Sequence, residues 1–111
     1  MRSLILATVA VDLFVSNAGA SDYTAMGVGT NSCGSWTAAR RTPTQIQAVL
    51  DETWVQGFLS GVGSIGISQG FNPLNGTDPD GVWAWIDSYC GAHPLDDIAV
   101  AAAAFASAHP H

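Results

Sequence analysis

The spacing of apolar residues along the chain predicts a protein built from helices. From about Thr44 to Ile65, apolar and small residues recur every three to four positions, which is the period of an amphipathic helix. One face of this helix would hold Ile46, Val49, Leu50, Thr53, Trp54, Gly57 and Gly61. We expect that face to be buried and the helix to lie at the centre of the fold.

Shorter helices are predicted on both sides of this central one. The first covers Cys33 to Arg41 and turns Trp36 and Ala39 inward, one helical turn apart. A later one covers Gly81 to Cys90, and the side chain of Asp80 is expected to cap its first turn. Both helices therefore direct an apolar side towards a shared core.

The last predicted helix follows a turn and has Pro94 in its first turn, where proline is tolerated. Its buried stripe would consist of Leu95, Ile98, Ala102 and Phe105. The chain shows no useful stretch of alternating apolar and polar residues, so no β-strand is expected. The predicted fold class is all-α, a small bundle of three to four short helices.

The first twenty residues are typical of an export signal. Arg2 gives a positive start, Leu4 to Val15 is mostly apolar, and Ala18-Gly19-Ala20 fits the small-residue rule for cleavage. Cleavage after Ala20 predicts a periplasmic protein, and no other segment is long and apolar enough to span a membrane. The remaining chain then divides into a flexible N-terminal arm at 21–32, a helical domain at 33–108 and a C-terminal tail at 109–111.

Cys33 and Cys90 are the only cysteines of the chain and lie 57 positions apart. In an oxidising compartment we expect them to form one disulfide that closes the bundle. Chain-entropy bookkeeping gives such a bridge roughly 4 kcal/mol as an upper figure. A reactive or metal-binding role is the alternative, although neither cysteine belongs to a C-x-x-C pair.

The chain is acidic, with nine Asp and Glu against three Arg, no Lys and a formal net charge of −6. This charge argues against nucleic acid and anionic membranes as partners. It would attract a basic protein surface, or it serves only to keep the domain in solution. The expected partners are therefore proteins.

Two strings match nucleotide or calcium motifs only in part. The G-x-G-x-x-G of Gly61 to Gly66 follows a helix, whereas a dinucleotide site needs a preceding strand. Asp78 to Gly81, with Asp87 further on, matches part of a calcium loop but lacks its first ligand. We interpret Asp78 to Gly81 as a turn followed by a helix cap.

No residue pattern predicts catalysis. His93, His109 and His111 are the only histidines, and two of them lie at the chain terminus. No serine lies in a G-x-S-x-G elbow. The adjacent carboxylates Asp51 and Glu52 point apart on a helix and are expected on a solvated surface. We therefore predict no catalytic residue, no metal site and no cofactor, and the protein is not expected to be an enzyme.

Three strings resemble the HdeA/HdeB-like family of periplasmic acid-stress chaperones. They are Cys33 at the start of the fold, WVQGFLSG from Trp54 to Gly61, and WIDSYC from Trp85 to Cys90, followed by HPLD. The strings look closest to uncharacterised exported proteobacterial proteins, to which the chaperones are distant relatives. The resemblance implies an all-helical domain with one disulfide. It also implies homodimers that open in acid and bind unfolding clients through exposed apolar surface.

A different class of function is also open. Periplasmic immunity proteins, which neutralise a secreted effector, are likewise small, exported, helical and disulfide-bonded. An acidic surface of Asp78, Asp80 and Asp87 beside Trp83 or Trp85 would suit such a partner, because interfaces favour aromatic anchors. These five residues are the candidate partner-binding site, and a structural domain of the envelope without any client is the third interpretation.

Overall fold

The computed structural model describes residues 23–42 and 44–111, so the predicted signal peptide lies outside the described residues. Within them the chain forms α1 (Cys33–Arg40), α2 (Ile46–Gly66), α3 (Pro79–Ala92) and α4 (Ile98–Ala108). Short 3-10 turns occur at Gly27–Thr30 and Ile67–Gln69. The part of the chain described contains no β-strand, and the all-α fold class is confirmed.

The core lies where the four helices meet. Its largest fully buried side chains come from each helix and include Trp36, Val55, Leu59, Ile86 and Ile98. Complete burial of one such aliphatic side chain is worth about 1.5–3 kcal/mol. The predicted disulfide is present between Cys33 of α1 and Cys90 of α3, whose Cα atoms are 4.7 Å apart.

The fold begins earlier than the sequence suggested, because the segment predicted as a flexible arm packs on the bundle. Gly29 is buried, and a Cβ atom there would lie 2.3 Å from the indole ring of Trp54. The Trp54 indole N–H donates to the carbonyl of Met26 at 2.8 Å, and the Tyr23 hydroxyl donates to a carbonyl of α4 at 3.3 Å. Glycine lets this stretch lie directly against a large aromatic ring, so a small-residue composition here serves close packing.

α2 turns the opposite side to the core from the one predicted. Its buried residues are Ala48, Asp51, Val55, Leu59 and Gly63. Most of the predicted inward face is exposed instead, with 70 % of Ile46, 44 % of Val49 and 46 % of Leu50 open to solvent, whereas Trp54 at its edge is half-buried as predicted. α2 is apolar on both sides, so its periodicity alone does not distinguish the side that the other helices cover.

α3 starts two residues before the predicted position. Asp78, and not Asp80, is its cap, because the Asp78 Oδ1 atom accepts a hydrogen bond from the Gly81 N–H at 2.8 Å. Pro79 is then the first helical residue, a position where its missing N–H costs nothing.

α4 starts later than predicted, at Ile98. Residues 94–96 form a turn whose carbonyls accept from the first N–H groups of α1: Cys33 donates to Asp96 at 2.7 Å and Gly34 donates to Pro94 at 2.9 Å. Leu95 is therefore 92 % exposed and does not belong to a buried stripe. The turn supplies acceptors that the start of α1 would otherwise lack.

The C-terminal residues predicted as a tail also contact the fold. The carbonyl of Pro110 accepts from the Asn72 N–H at 2.6 Å, and His109 packs against Trp85 with 5.9 Å between ring centroids. The end of the chain thus joins α3 and the loop after α2.

Candidate functional site

The two tryptophans of the predicted partner-binding site point to different parts of the molecule. Trp83 is only 8 % exposed and packs against Trp36, with 6.1 Å between ring centroids. Trp85 is half-buried and meets Phe105 of α4 edge to face at 5.4 Å. Both rings therefore contribute mainly to packing, and the structure does not bring them together as a pair of surface anchors.

The three acidic residues of that site are also divided. Asp78 and Asp80 are exposed at the start of α3. Asp87 lies further along the helix and is held by Arg40, whose Nε donates to Oδ1 and whose Nη2 donates to Oδ2, both at 2.9 Å. The Trp36 indole N–H adds a third hydrogen bond to Asp87 Oδ1 at 2.8 Å. Both oxygens of Asp87 are thus engaged within the protein, although its side chain is 40 % exposed, whereas Asp78 and Asp80 are exposed without such an ion pair.

Arg40 connects three helices. Besides Asp87 of α3 it donates from Nη1 to Glu52 of α2 at 2.8 Å, and its guanidinium lies 5.8 Å from the ring centroid of Trp36. The hydrogen bonds that Arg40 donates to Asp87, and to a lesser extent to Glu52, raise the pKa of Arg40 above its ordinary value, although burial offsets part of this rise. Arg40 therefore keeps its charge and acts as a structural tie, a role that no periodic pattern in the sequence indicated.

The most unusual surface is the outer side of α2, which we call the α2 outer face. It consists of Ile46, Val49, Leu50, Thr53, Gly57 and Gly61, all of them exposed and none of them charged. From Ile46 to Gly61 it extends about 22 Å along the helix. Ile65 and Ile67, at the end of α2 and just after it, are also 83 % and 55 % exposed. Exposed aliphatic side chains grouped on one side of a helix, as at Ile46, Val49 and Leu50, indicate a binding surface.

The two glycines make this face open and flat. A Cβ atom at Gly57 or at Gly61 would meet nothing within 4 Å. The backbone of α2 is therefore accessible at Gly57 and Gly61, between the aliphatic side chains at the start of the helix and Ile65 near its end.

The inner side of α2 holds a buried carboxyl group. Asp51 is 0 % exposed, its Oδ1 atom accepts from the Gln47 side-chain amide at 2.8 Å, and its Oδ2 atom has no partner in the part of the chain described. Burial raises the pKa of Asp51, which Gln47 offsets in part. The expectation of a solvated surface for Asp51 is therefore wrong, because α2 turns its other side outward.

A third feature is a row of stacked rings between α3 and α4. Tyr89 stacks on Trp85 at 5.7 Å and on His93 at 4.3 Å, while Phe105 stacks on His109 at 4.4 Å. The imidazole Nδ1 atom of His93 lies within hydrogen-bond distance of the Tyr89 carbonyl oxygen, at 3.0 Å. The Nδ1 atom of His109 lies in the same way 3.1 Å from the Phe105 carbonyl oxygen. The two histidines therefore close the ends of their helices.

Tyr89 is fixed within this row by a second contact. Its hydroxyl donates to Asp96 Oδ2 at 2.7 Å. Burial, together with this hydrogen bond, raises the pKa of Tyr89 to about 12. The phenol is thus a hydrogen-bond donor that attaches the turn before α4 to α3.

A cavity of about 120 Å³ opens between α2, the loop that follows it and the start of α3. Its walls are apolar and consist of Leu59, Leu74, Pro79, Val82 and Trp83. Of the five acidic and aromatic residues predicted to bind a partner, only Trp83 and Asp78 border it. The cavity arises from the packing of three separate segments, so the sequence held no signal for it.

Comparison of the chain with protein-family models, with curated proteins and with solved structures finds no match. The resemblance to the HdeA/HdeB-like family therefore stays a prediction. No helix in the described residues is both long and apolar enough to cross a membrane. Across residues 23–42 and 44–111, no three His, Cys, Asp or Glu side chains lie together in a metal-binding arrangement. Function has to be argued from the surfaces described above.

Proposed function

We propose that this protein is an exported chaperone-like binder that holds unfolding polypeptides on the α2 outer face. The observation that carries the proposal is the exposure of Ile46, Val49 and Leu50 on a helix whose opposite side forms the core. Unfolding proteins expose apolar segments, and apolar area removed from water stabilises a complex by about 25 cal/mol per Å² before the costs of association.

The composition of the α2 outer face suits a binder of many sequences. Its six residues present aliphatic groups, one hydroxyl and two bare stretches of backbone, without any charge that would select a particular partner. Binding of this kind depends on apolar area more than on shape or charge. An acidic chain with net charge −6 also remains in solution despite the exposed aliphatic groups.

Two further features support a protein that acts outside the cytoplasm and stays folded in acid. The Cys33–Cys90 disulfide is compatible with an exported protein, since such bridges persist in oxidising compartments. The raised pKa of Asp51 means that the folded state holds this proton more firmly than the unfolded chain does. This one group therefore favours the folded state as the pH falls.

The proposal is tested by light scattering of an acid-denatured reporter enzyme mixed with the protein at pH 3 and at pH 7. We expect the wild type to reduce aggregation, and the double variant Ile46→Ser/Leu50→Ser to lose most of that effect. Leu95→Ser is the matched control, because Leu95 is 92 % exposed but lies outside the α2 outer face. Circular dichroism would verify that all variants fold.

Equal protection by the wild type and the double variant would contradict the proposal. A stable stoichiometric complex with one periplasmic hydrolase at pH 7, without any protection of the reporter, would instead favour the immunity function. That function would place the partner at the exposed carboxylates Asp78 and Asp80.

A further inference from the structure

We propose that the cavity between α2 and α3 binds a small ligand that joins one benzene-sized apolar group to a positively charged nitrogen, as in an arylalkylamine. This site is separate from the α2 outer face and adds a second activity to the proposed function.

The size of the cavity matches a single six-membered ring. Its volume is about 120 Å³, which is close to the ~150 Å³ cavity lined by aliphatic and aromatic side chains that is known to bind benzene. The walls of Leu59, Leu74, Val82 and Trp83 offer only carbon surface and an indole ring to such a group. A branched aliphatic group of similar volume would fit as well.

The walls are held in place by the core, so the cavity is preformed. Leu59 is 0 % and Val82 is 2 % exposed, and both belong to the core cluster of the bundle. Trp83 is 8 % exposed and packs against Trp36. Because these side chains are already ordered, a ligand would not have to order them on binding.

The mouth of the cavity is polar and carries negative charge only. It is formed by Gln56, Thr77 and Asp78. Thr77 donates its hydroxyl hydrogen to the Leu74 carbonyl at 2.9 Å, and Asp78 Oδ1 accepts from Gly81. In the described residues no group donates to Asp78 Oδ2, so this oxygen is free to accept a hydrogen bond from a ligand ammonium.

The charge of the protein selects against anions at this place. Among residues 23–42 and 44–111, no Arg or His borders the cavity, and Asp80 follows Asp78 by two positions in the first turn of α3. The net charge of −6 adds a long-range preference for cations. Trp83 in the wall supplies an indole ring, and a cation within about 6 Å of the face of such a ring is attracted to it.

The test is a titration of isotope-labelled protein at pH 7 with benzylamine, benzyl alcohol and benzoate, each followed by amide chemical shifts. We expect saturable shifts at the cavity residues, with benzylamine binding most tightly and benzoate least. Asp78→Asn keeps the helix cap, since Asn caps as well as Asp. This variant should weaken benzylamine binding about fivefold and leave benzyl alcohol unchanged, as expected for the loss of one partly exposed ion pair.

Asp80→Asn is the matched control, because it removes the same charge from a residue that does not border the cavity. We expect it to change benzylamine binding less than twofold. The absence of saturable shifts with all three compounds, equal affinity for benzoate and benzylamine, or equal effects of the two variants would each overturn the proposal. None of these results bears on the α2 outer face, which the aggregation assay tests separately.

Discussion

Arg40 and Asp87 form a two-point ion pair in which both N–O distances are 2.9 Å. Arg40 is the last residue of α1, and Cys33, the first residue of the same helix, is bonded to Cys90. α1 is thus attached to α3 at both ends, once by charge and once covalently. These two attachments hold α1 against the core. The inner side of α2 packs on the same core.

Replacement of Arg40 is expected to destabilise the fold markedly. Arg40→Gln removes the charged hydrogen bonds to Glu52 and Asp87, so that Glu52 loses its ion-pair partner and Asp87 keeps only the hydrogen bond from Trp36. We expect a loss of about 1–3 kcal/mol in the free energy of unfolding. Urea unfolding at pH 7, followed by tryptophan fluorescence, measures it.

Arg41→Gln provides the comparison, since Arg41 is exposed and its change should stay within about 0.5 kcal/mol. Similar losses for the two variants would show that the ion pair does not stabilise the fold.

Removal of the disulfide is expected to have the larger effect. Cys33→Ser/Cys90→Ser opens a loop of 57 residues and should cost about 2–4 kcal/mol, which is a large part of the stability of so small a domain. The melting temperature of the variant should equal that of the wild type measured in the presence of a reductant. An unchanged melting temperature in both cases would contradict this prediction.

Replacement of Asp51 should change how stability depends on pH. The pKa of Asp51 is raised in the folded state, so its contribution to stability is fully present below the ordinary pKa of an aspartate and is lost as the pH rises through the raised value. Asp51→Asn keeps the shape without the charge. We expect a higher melting temperature than the wild type at pH 7, with the difference shrinking towards pH 3.

Asp80→Asn, on an exposed residue, is the control for the removal of one negative charge. If Asp51→Asn lowered the melting temperature at pH 7 but not at pH 3, Asp51 would stabilise the fold as a charged group and the prediction would be wrong.

Glycine substitutions distinguish the packed N-terminal segment from the open α2 outer face. Gly29→Ala places a methyl group against the Trp54 ring and should destabilise the protein by about 1–3 kcal/mol through overpacking. Gly57→Ala meets no neighbour and should stabilise α2 by about 0.5–1 kcal/mol, because alanine favours the helix.

Chemical denaturation of both glycine variants measures these changes. Hydrogen exchange at residues 23–32 should accelerate in Gly29→Ala only. If Gly29→Ala were as stable as Gly57→Ala, packing of residues 23–32 on Trp54 would not stabilise the fold.

The sequence by itself determined which segments are helical and how the chain is cross-linked. Apolar periodicity located the helices, and it correctly turned Trp36 and Ala39 of α1 inward. Two cysteines, in a chain predicted to be exported, sufficed to predict the bridge between Cys33 and Cys90. These features depend on neighbours within a few turns, or on a pairing without competitors, so local patterns describe them well.

Only the tertiary structure decided which side of α2 is buried and which residues share a site. Val55 and Leu59 face the core and Ile46 and Leu50 face solvent, although both pairs are apolar, because burial depends on where the other helices pack. The same holds for Asp87, whose carboxylate is held by a distant arginine. The α2 outer face and the cavity beside Trp83 arise from contacts between distant segments, which periodicity along one helix does not encode.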